Sequence, residues 1–185
     1  TRVAVNGATG RMGETVIGTA ADREDLTAVV GFDVEAGEAG GVPVVADDVA
    51  GALDEHDVDV VVDFSVPGST LPLAEACVET NTALVVGTTG FDDGELAELD
   101  AASESVPLLK ATNFSRGIQV LQRTVREAVR ALDDYDLELM ESHHSQKVDA
   151  PSGTAKTLLE VVRSERDVEP VYGREGHAPR DGDEI

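Results

Sequence analysis

Arg2-Val-Ala-Val-Asn-Gly-Ala-Thr-Gly-Arg-Met-Gly13 sets a short apolar run directly before three glycines, at positions 7, 10 and 13, and a segment of helical period then continues to about Ala21. A strand that turns into a helix through glycine lets backbone approach a pyrophosphate closely. The helix N-terminus adds amide donors and the positive end of its dipole. The spacing is G-x-x-G-x-x-G, not G-x-G-x-x-G. Its place between a first strand and a first helix therefore carries the reading more than the spacing does. Arg11, inside the turn, is placed either to meet phosphate or to face solvent.

Outward from this turn the pattern repeats. Leu26–Phe32 reads as a second strand and ends at Asp33, twenty residues beyond Gly13. An acidic residue there typically accepts hydrogen bonds from ribose hydroxyls of a dinucleotide. The next residue is Val34, so no adjacent cation offsets a 2′-phosphate, and NADH is expected to be favoured over NADPH. A glycine-rich turn covers Glu35 to Gly41. Val42–Val45, Val58–Asp63, Ala83–Val86 and Val106–Lys110 read as strands, and Asp48–Glu55, Leu71–Thr80 and Asp93–Ser103 as helices. Strands alternating with helices predict an α/β fold, a doubly wound parallel sheet covered on both faces. Asp63-Phe-Ser65 and Gly87-Thr-Thr-Gly90 follow strands, where open α/β sheets bind ligands. They suit a nicotinamide and its ribose, or serve as plain connections.

The rhythm changes after Asn113. Gly117 to about Leu132 reads as one long amphipathic helix, Tyr135–Ser142 as a half-exposed strand, His143 to Pro151 as a polar segment, and Gly153 to Arg166 as a helix. Tyr172 to Ile185 reads as a loop. The expected division is 1–115 for dinucleotide and 116–185 for substrate.

Composition excludes several classes. Fourteen Lys and Arg against 37 Asp and Glu leave a formal charge of −23 over 185 residues. A duplex or an anionic membrane would repel such a chain. No apolar run is long enough to span a bilayer, and no charged segment followed by an apolar run opens the chain as a secretion signal does. Cys77 is the single cysteine, which excludes an intramolecular disulfide and leaves core packing as its expected role. Lysine occurs three times and arginine eleven. A uniformly acidic, lysine-poor surface suits a salt-rich cytoplasm, where cations screen self-repulsion.

Two of the four histidines and one of the three lysines fall together in His143-His-Ser-Gln-Lys147, followed by Val-Asp-Ala-Pro-Ser152-Gly-Thr154. Histidine exchanges protons near neutral pH. Lys147 offers a point charge to an anion, and Ser152-Gly153-Thr154 opens a helix whose amides bind carboxylates. The set describes a pocket for a small dicarboxylate beside a proton donor. A metal is not expected, because adjacent histidines in extended chain point to opposite sides and no third histidine or cysteine lies at ligand spacing. His177 reads equally well as a surface residue.

Glu141-Ser-His-His-Ser-Gln-Lys-Val-Asp-Ala-Pro-Ser-Gly-Thr-Ala155 resembles the signature of the dihydrodipicolinate reductase (4-hydroxy-tetrahydrodipicolinate reductase) family. Gly7–Gly13, Asp63–Ser65, Gly87–Phe91, Ala111-Thr-Asn-Phe-Ser115 and Arg174-Glu-Gly-His177 resemble its other motifs in the same order. The resemblance implies a Rossmann-like domain followed by an α/β substrate domain, and NADH- or NADPH-dependent reduction of a cyclic dicarboxylate in the diaminopimelate route to lysine. It implies a cytoplasmic enzyme assembled as a homotetramer. By position, the resemblance makes His143 the proton donor or acceptor and Lys147 the second proton donor; His144, Ser152, Gly153 and Thr154 hold substrate carboxylates. Gly7, Ala8, Thr9, Gly10, Arg11, Met12, Asp33, Gly87, Thr88, Thr89, Ala111, Thr112, Asn113 and Phe114 hold the dinucleotide. The family's substrate domain continues beyond the position of Ile185, so the second domain is expected to be incomplete and its sheet to expose edges.

Two rival readings differ in class. Short-chain dehydrogenases and sugar epimerases share the glycine turn but use Tyr-x-x-x-Lys; here Tyr135 is followed four on by Leu139 and Tyr172 by Gly176. A non-catalytic dinucleotide sensor needs the first domain alone and has no use for the His-His-x-x-Lys cluster.

Overall fold

In a computed structural model of the protein, residues 1–143, 145, 149–173 and 176–177 are described. The chain folds as two compact units, Thr1–Thr112 and Asn113–Ile185.

The first unit runs β1 (Arg2–Asn6), α1 (Arg11–Ala21), β2 (Thr27–Phe32), β3 (Gly37–Ala39), β4 (Val42–Val45), α2 (Val49–Glu55), β5 (Val60–Asp63), α3 (Pro67–Thr80), β6 (Ala83–Val86), α4 (Asp93–Ser103) and β7 (Leu108–Lys110). The seven strands form one sheet in the order β3-β4-β2-β1-β5-β6-β7. Every neighbouring pair is parallel except β3 with β4. The chain leaves β1 toward β2 on one side and returns to β5 on the other. The strand order thus reverses at β1, which opens a crevice beyond the carboxyl ends of these strands.

Side chains alternate across β1 with the strand period. Val3 and Val5 pack with Ile17 of α1 on one face, while Ala4 faces Leu53, Leu73 and Leu84 on the other. Helices α2, α3 and α4 cover that second face. Leu53, Leu73, Leu84 and Leu99 are fully buried there, each worth about 2–3 kcal/mol of transfer free energy. Cys77 is buried in the same cluster.

Two elements of this unit differ from expectation. The glycine-rich turn contains a short antiparallel strand, Gly37–Ala39, because Gly40 (φ +57°) and Gly41 (φ +83°) adopt left-handed backbone and fold 37–39 back on β4. Helix α3 begins at Pro67, not Leu71. Proline suits the first helical position, and Thr70 in the added turn donates to Asp63 at 2.7 Å.

The second unit contains α5 (Arg116–Ala131), β8 (Asp149–Ala150), α6 (Gly153–Glu165) and β9 (Gly176–His177). Arg130 donates to Glu165 at 2.7 Å and joins α5 to α6. Tyr135–Ser142 forms no strand, contrary to its alternation. No ladder partner flanks it among the described residues. Leu137 and Leu139 are both half exposed, so neither face is buried enough to fix a register. Its start is held instead by Arg166, which donates to the Tyr135 carbonyl at 2.8 Å. The polar segment and the tail, the latter expected to be a loop, contribute β8 and β9, which pair antiparallel through Asp149 with His177 and Ala150 with Gly176.

Candidate active site

The first turn is built around glycine for steric reasons. Gly7 sits at φ +73°, and a Cβ there would lie 3.1 Å from the Phe64 carbonyl carbon. A Cβ on Gly13 would press on the Gly7 carbonyl oxygen and sit 2.7 Å from the Ala8 Cα, so α1 packs on the turn only without a side chain. The Gly7 and Ala8 amides donate to the Phe32 carbonyl at 2.9 and 3.1 Å and fasten the turn to the end of β2. Gly10 is the N-cap of α1 and brings no side-chain acceptor to it. Arg11 and Met12, both exposed, begin the helix with first-turn amides of the kind that bind anions.

Asp33 closes this turn from the end of β2. Its Oδ2 accepts from the Thr9 amide at 2.9 Å and the Thr9 hydroxyl at 2.6 Å, and its Oδ1 from the Val34 amide at 2.8 Å. Burial pushes its pKa up, but the hydrogen bonds from Thr9 and Val34 outweigh burial and hold it below the usual aspartate value. An anionic acceptor thus stands beside the glycine turn, as a ribose diol requires. Sequence reasoning placed Asp33 here; its clasp on Thr9 was not legible.

Beyond β5 and β6 the polar centre is Asp63. It is fully buried and accepts from Asn6, Ser65, Thr70 and Thr88. The Thr88 hydroxyl also accepts from the Ser65 amide at 2.8 Å. Gly87 lies under the Phe64 ring, where a Cβ would sit 2.6 Å from Cδ1, and Thr89 is exposed. The Ala111 amide donates to the Val86 carbonyl at 3.1 Å, and Lys110 stands 5.5 Å over the Phe91 ring. A dinucleotide fits this edge: the glycines let the turns pack tightly enough to present their backbone at the strand ends, and Asp33 supplies the acceptor. Sequence reasoning did not single out Asp63 as a residue in its own right. The available signal was a carboxylate ending the run Val60–Asp63, since a buried charge requires partners and hydroxyls follow at 65, 69 and 70.

In the second unit Ser152 is the N-cap of α6, accepting from the Ala155 amide at 3.1 Å. Glu141 in turn accepts from the Ser152 amide at 2.9 Å and from the Ser152 hydroxyl. Ser152 is buried, so its role is to order the helix start, while Gly153 is exposed and Thr154 partly so. Asn113 Nδ2 donates to the Thr154 hydroxyl at 3.3 Å, and its Oδ1 accepts from the Ser115 amide at 2.8 Å. His143 is partly exposed, with Nδ1 3.7 Å from Glu141 Oε2. Glu141 therefore caps the helix start within 3.7 Å of the histidine, a proximity the sequence did not reveal. His144 and Lys147 lie outside the described residues, as do Arg174 and Glu175. Of Ala111–Phe114, the first two residues belong to the first unit and the last two to the second.

Comparison with known proteins settles the lineage. The family description "Dihydrodipicolinate reductase, N-terminus" matches residues 1–114, and "Dihydrodipicolinate reductase, C-terminus" matches 117–185. The chain belongs to the dihydrodipicolinate reductase family. A 4-hydroxy-tetrahydrodipicolinate reductase from the halophile Haloarcula marismortui is 65% identical across all of this chain and 74% of that protein. Another from Methanocorpusculum labreanum is 42% identical over 97% of this chain and 72% of that protein. A solved dipicolinate-bound dihydrodipicolinate reductase from Paenisporosarcina superposes with a TM-score of 0.77 at 26% identity, covering 95% of this chain and 71% of that one. The Rossmann-like sheet and the glycine turn are thus those of a reductase family, and the expected resemblance holds along the whole chain.

Proposed function

We propose that residues of the first unit hold the dinucleotide and residues of the second unit hold a small cyclic dicarboxylate. The chain is an oxidoreductase of the diaminopimelate route to lysine, reducing 4-hydroxy-tetrahydrodipicolinate to tetrahydrodipicolinate. The observation that carries the residue assignment is the start of α6. Ser152 caps it under Glu141, Gly153 is exposed, and the same Glu141 carboxylate stands beside His143.

The bound dinucleotide supplies the hydride. Gly7, Ala8, Thr9, Gly10, Arg11 and Met12 approach its phosphates, Asp33 its adenosine ribose, and Gly87, Thr89, Ala111 and Thr112 its nicotinamide end, with Thr88 bracing that end from beneath. The Gly153 amide, Thr154 and His144 bind substrate carboxylate, with Lys147 adding positive charge. Glu141 faces the Nδ1 side of His143, so Nε2 is the atom turned to substrate. The 4-hydroxyl of the substrate leaves as water to give the unsaturated ring, and His143 and Lys147 serve the one proton that accompanies hydride transfer to that ring, general acid help worth roughly 10²–10⁴-fold. Asp33 without a basic neighbour favours NADH over NADPH. The protein works in a salt-rich cytoplasm, and the charge of −23 keeps it off nucleic acid and anionic membranes. Copies associate as a homotetramer, supported by the exposed Tyr135, Met140 and Val171 of the second unit.

The test is NADH oxidation in molar KCl, with substrate generated in place from pyruvate and aspartate semialdehyde. Substrate-dependent oxidation that disappears in His143→Gln supports the reading. Dinucleotide binding with no turnover in parent protein would replace it with the sensor.

A further inference from the structure

We propose that Asp63 is a positioning residue of the dinucleotide site, its buried carboxylate tying the turns after β1, β5 and β6 into one unit. The inference rests on the dinucleotide reading above and deepens it. Asp63 is 0% exposed, so it touches no ligand and acts only through its neighbours. Each of its oxygens serves a different pair of elements. Oδ1 accepts from Asn6 Nδ2 at 2.8 Å and from the Ser65 hydroxyl at 2.5 Å. Oδ2 accepts from the Thr70 hydroxyl at 2.7 Å and the Thr88 hydroxyl at 2.8 Å. Asn6 is the last residue of β1, directly before Gly7. Ser65 follows β5, Thr70 lies in the first turn of α3, and Thr88 follows β6.

The backbone shows the same convergence. The Phe64 amide donates to the Asn6 carbonyl at 3.1 Å, and the Gly87 amide to the Asp63 carbonyl at 2.8 Å. Asn6 Nδ2 also reaches the Ser65 and Ser69 hydroxyls at 2.9 and 3.1 Å. Thr88 gives its proton to Asp63 and its lone pair to the Ser65 amide. This leaves Thr88 a brace, with the neighbouring Gly87 and Thr89 nearer the cofactor. Four donors on two oxygens match the capacity of a carboxylate. An asparagine has one acceptor oxygen, so its amide would confront either Asn6 and Ser65 or Thr70 and Thr88. Thr88 could accept from that amide with its second lone pair, but its own proton would then lose the acceptor that Asp63 provides.

The test compares parent protein, Asp63→Asn, Thr70→Val and Thr70→Ser in molar KCl, reading the NADH Kd, KM for NADH, kcat and melting temperature. Asp63→Asn is expected to weaken NADH binding about tenfold or more, since hydrogen bonds to a buried charged group are lost, with kcat at saturating NADH largely kept. Thr70→Val removes one donor and is expected to weaken NADH binding about threefold to tenfold, while Thr70→Ser restores the hydroxyl and the affinity. An Asp63→Asn protein that melts earlier yet binds NADH like the parent overturns the proposal. If Asp63→Asn does not fold, the Thr70 pair decides: unchanged affinity in Thr70→Val overturns it. A parent that binds no dinucleotide overturns both this role and the site; a parent that binds, beside variants that bind equally, overturns only the role of Asp63.

Discussion

His143 and Asp33 carry the sharpest expectations at the scale of single residues. His143→Gln keeps shape and hydrogen bonding but cannot pass a proton, so kcat is expected to fall about 10²–10⁴-fold with the substrate KM little changed; steady-state kinetics check both. For Asp33 the sign of the pH effect follows from its lowered pKa. The folded carboxyl binds its proton more weakly than the unfolded one, so its stabilising contribution is present above the usual aspartate value of about 3.9 and is lost as pH falls through the folded value. Parent protein should therefore lose more stability than Asp33→Asn when chemical denaturation is repeated at falling pH below that range. In the same variant, removal of the charge should raise the preference for NADPH relative to NADH, read as the ratio of kcat/KM values.

At the scale of elements, capping separates what was legible from what was not. Asp92 and Glu95 form a reciprocal box at the start of α4, a local device written in three residues of spacing, and the expected Asp93–Ser103 is the helix observed. The extra turn of α3 was not legible, because Thr70 finds its partner on another strand. Tyr135–Ser142 shows the opposite failure: alternation is local, but a strand needs a neighbour. Ser152 unites both kinds of information. Its cap is local and was expected; Glu141, eleven residues earlier, completes it. Ser152→Ala removes the cap and a hydroxyl donor to Glu141, so a loss of about 1–2 kcal/mol is expected. Thermal unfolding measures that loss, and a raised substrate KM should accompany it.

For the whole molecule, charge and core meet at one reporter. Cys77 is fully buried, and burial, with a smaller push from Asp63, raises its thiol pKa to about 12. Thiolate is the reactive form, so alkylation at mildly basic pH should be slow in the folded protein and fast in denaturant. The net charge of −23 repels itself over about 10 Å at 0.1 M salt but only about 3 Å at 1 M. Cys77 labelling should therefore accelerate in dilute buffer and slow in molar KCl. Equal rates, with equal unfolding free energies in both, would remove the salt-rich cytoplasm from the reading.

The sequence by itself determined the order of strands and helices in the first unit apart from β3, the glycine turn, the acceptor at Asp33, the acidic surface and the signature around His143. Each of these rests on period, on backbone freedom or on charge, quantities that a run of neighbouring residues already contains. Tertiary structure alone decided the rest. Asp63 gathers donors from β1, α3 and the turns after β5 and β6, Glu141 holds the cap of α6 within 3.7 Å of His143, and β8 finds β9 at a separation no local pattern announces. A buried carboxylate or a strand edge is satisfied only by groups that folding brings to it, and the identity of those groups is set by the packing of the whole sheet.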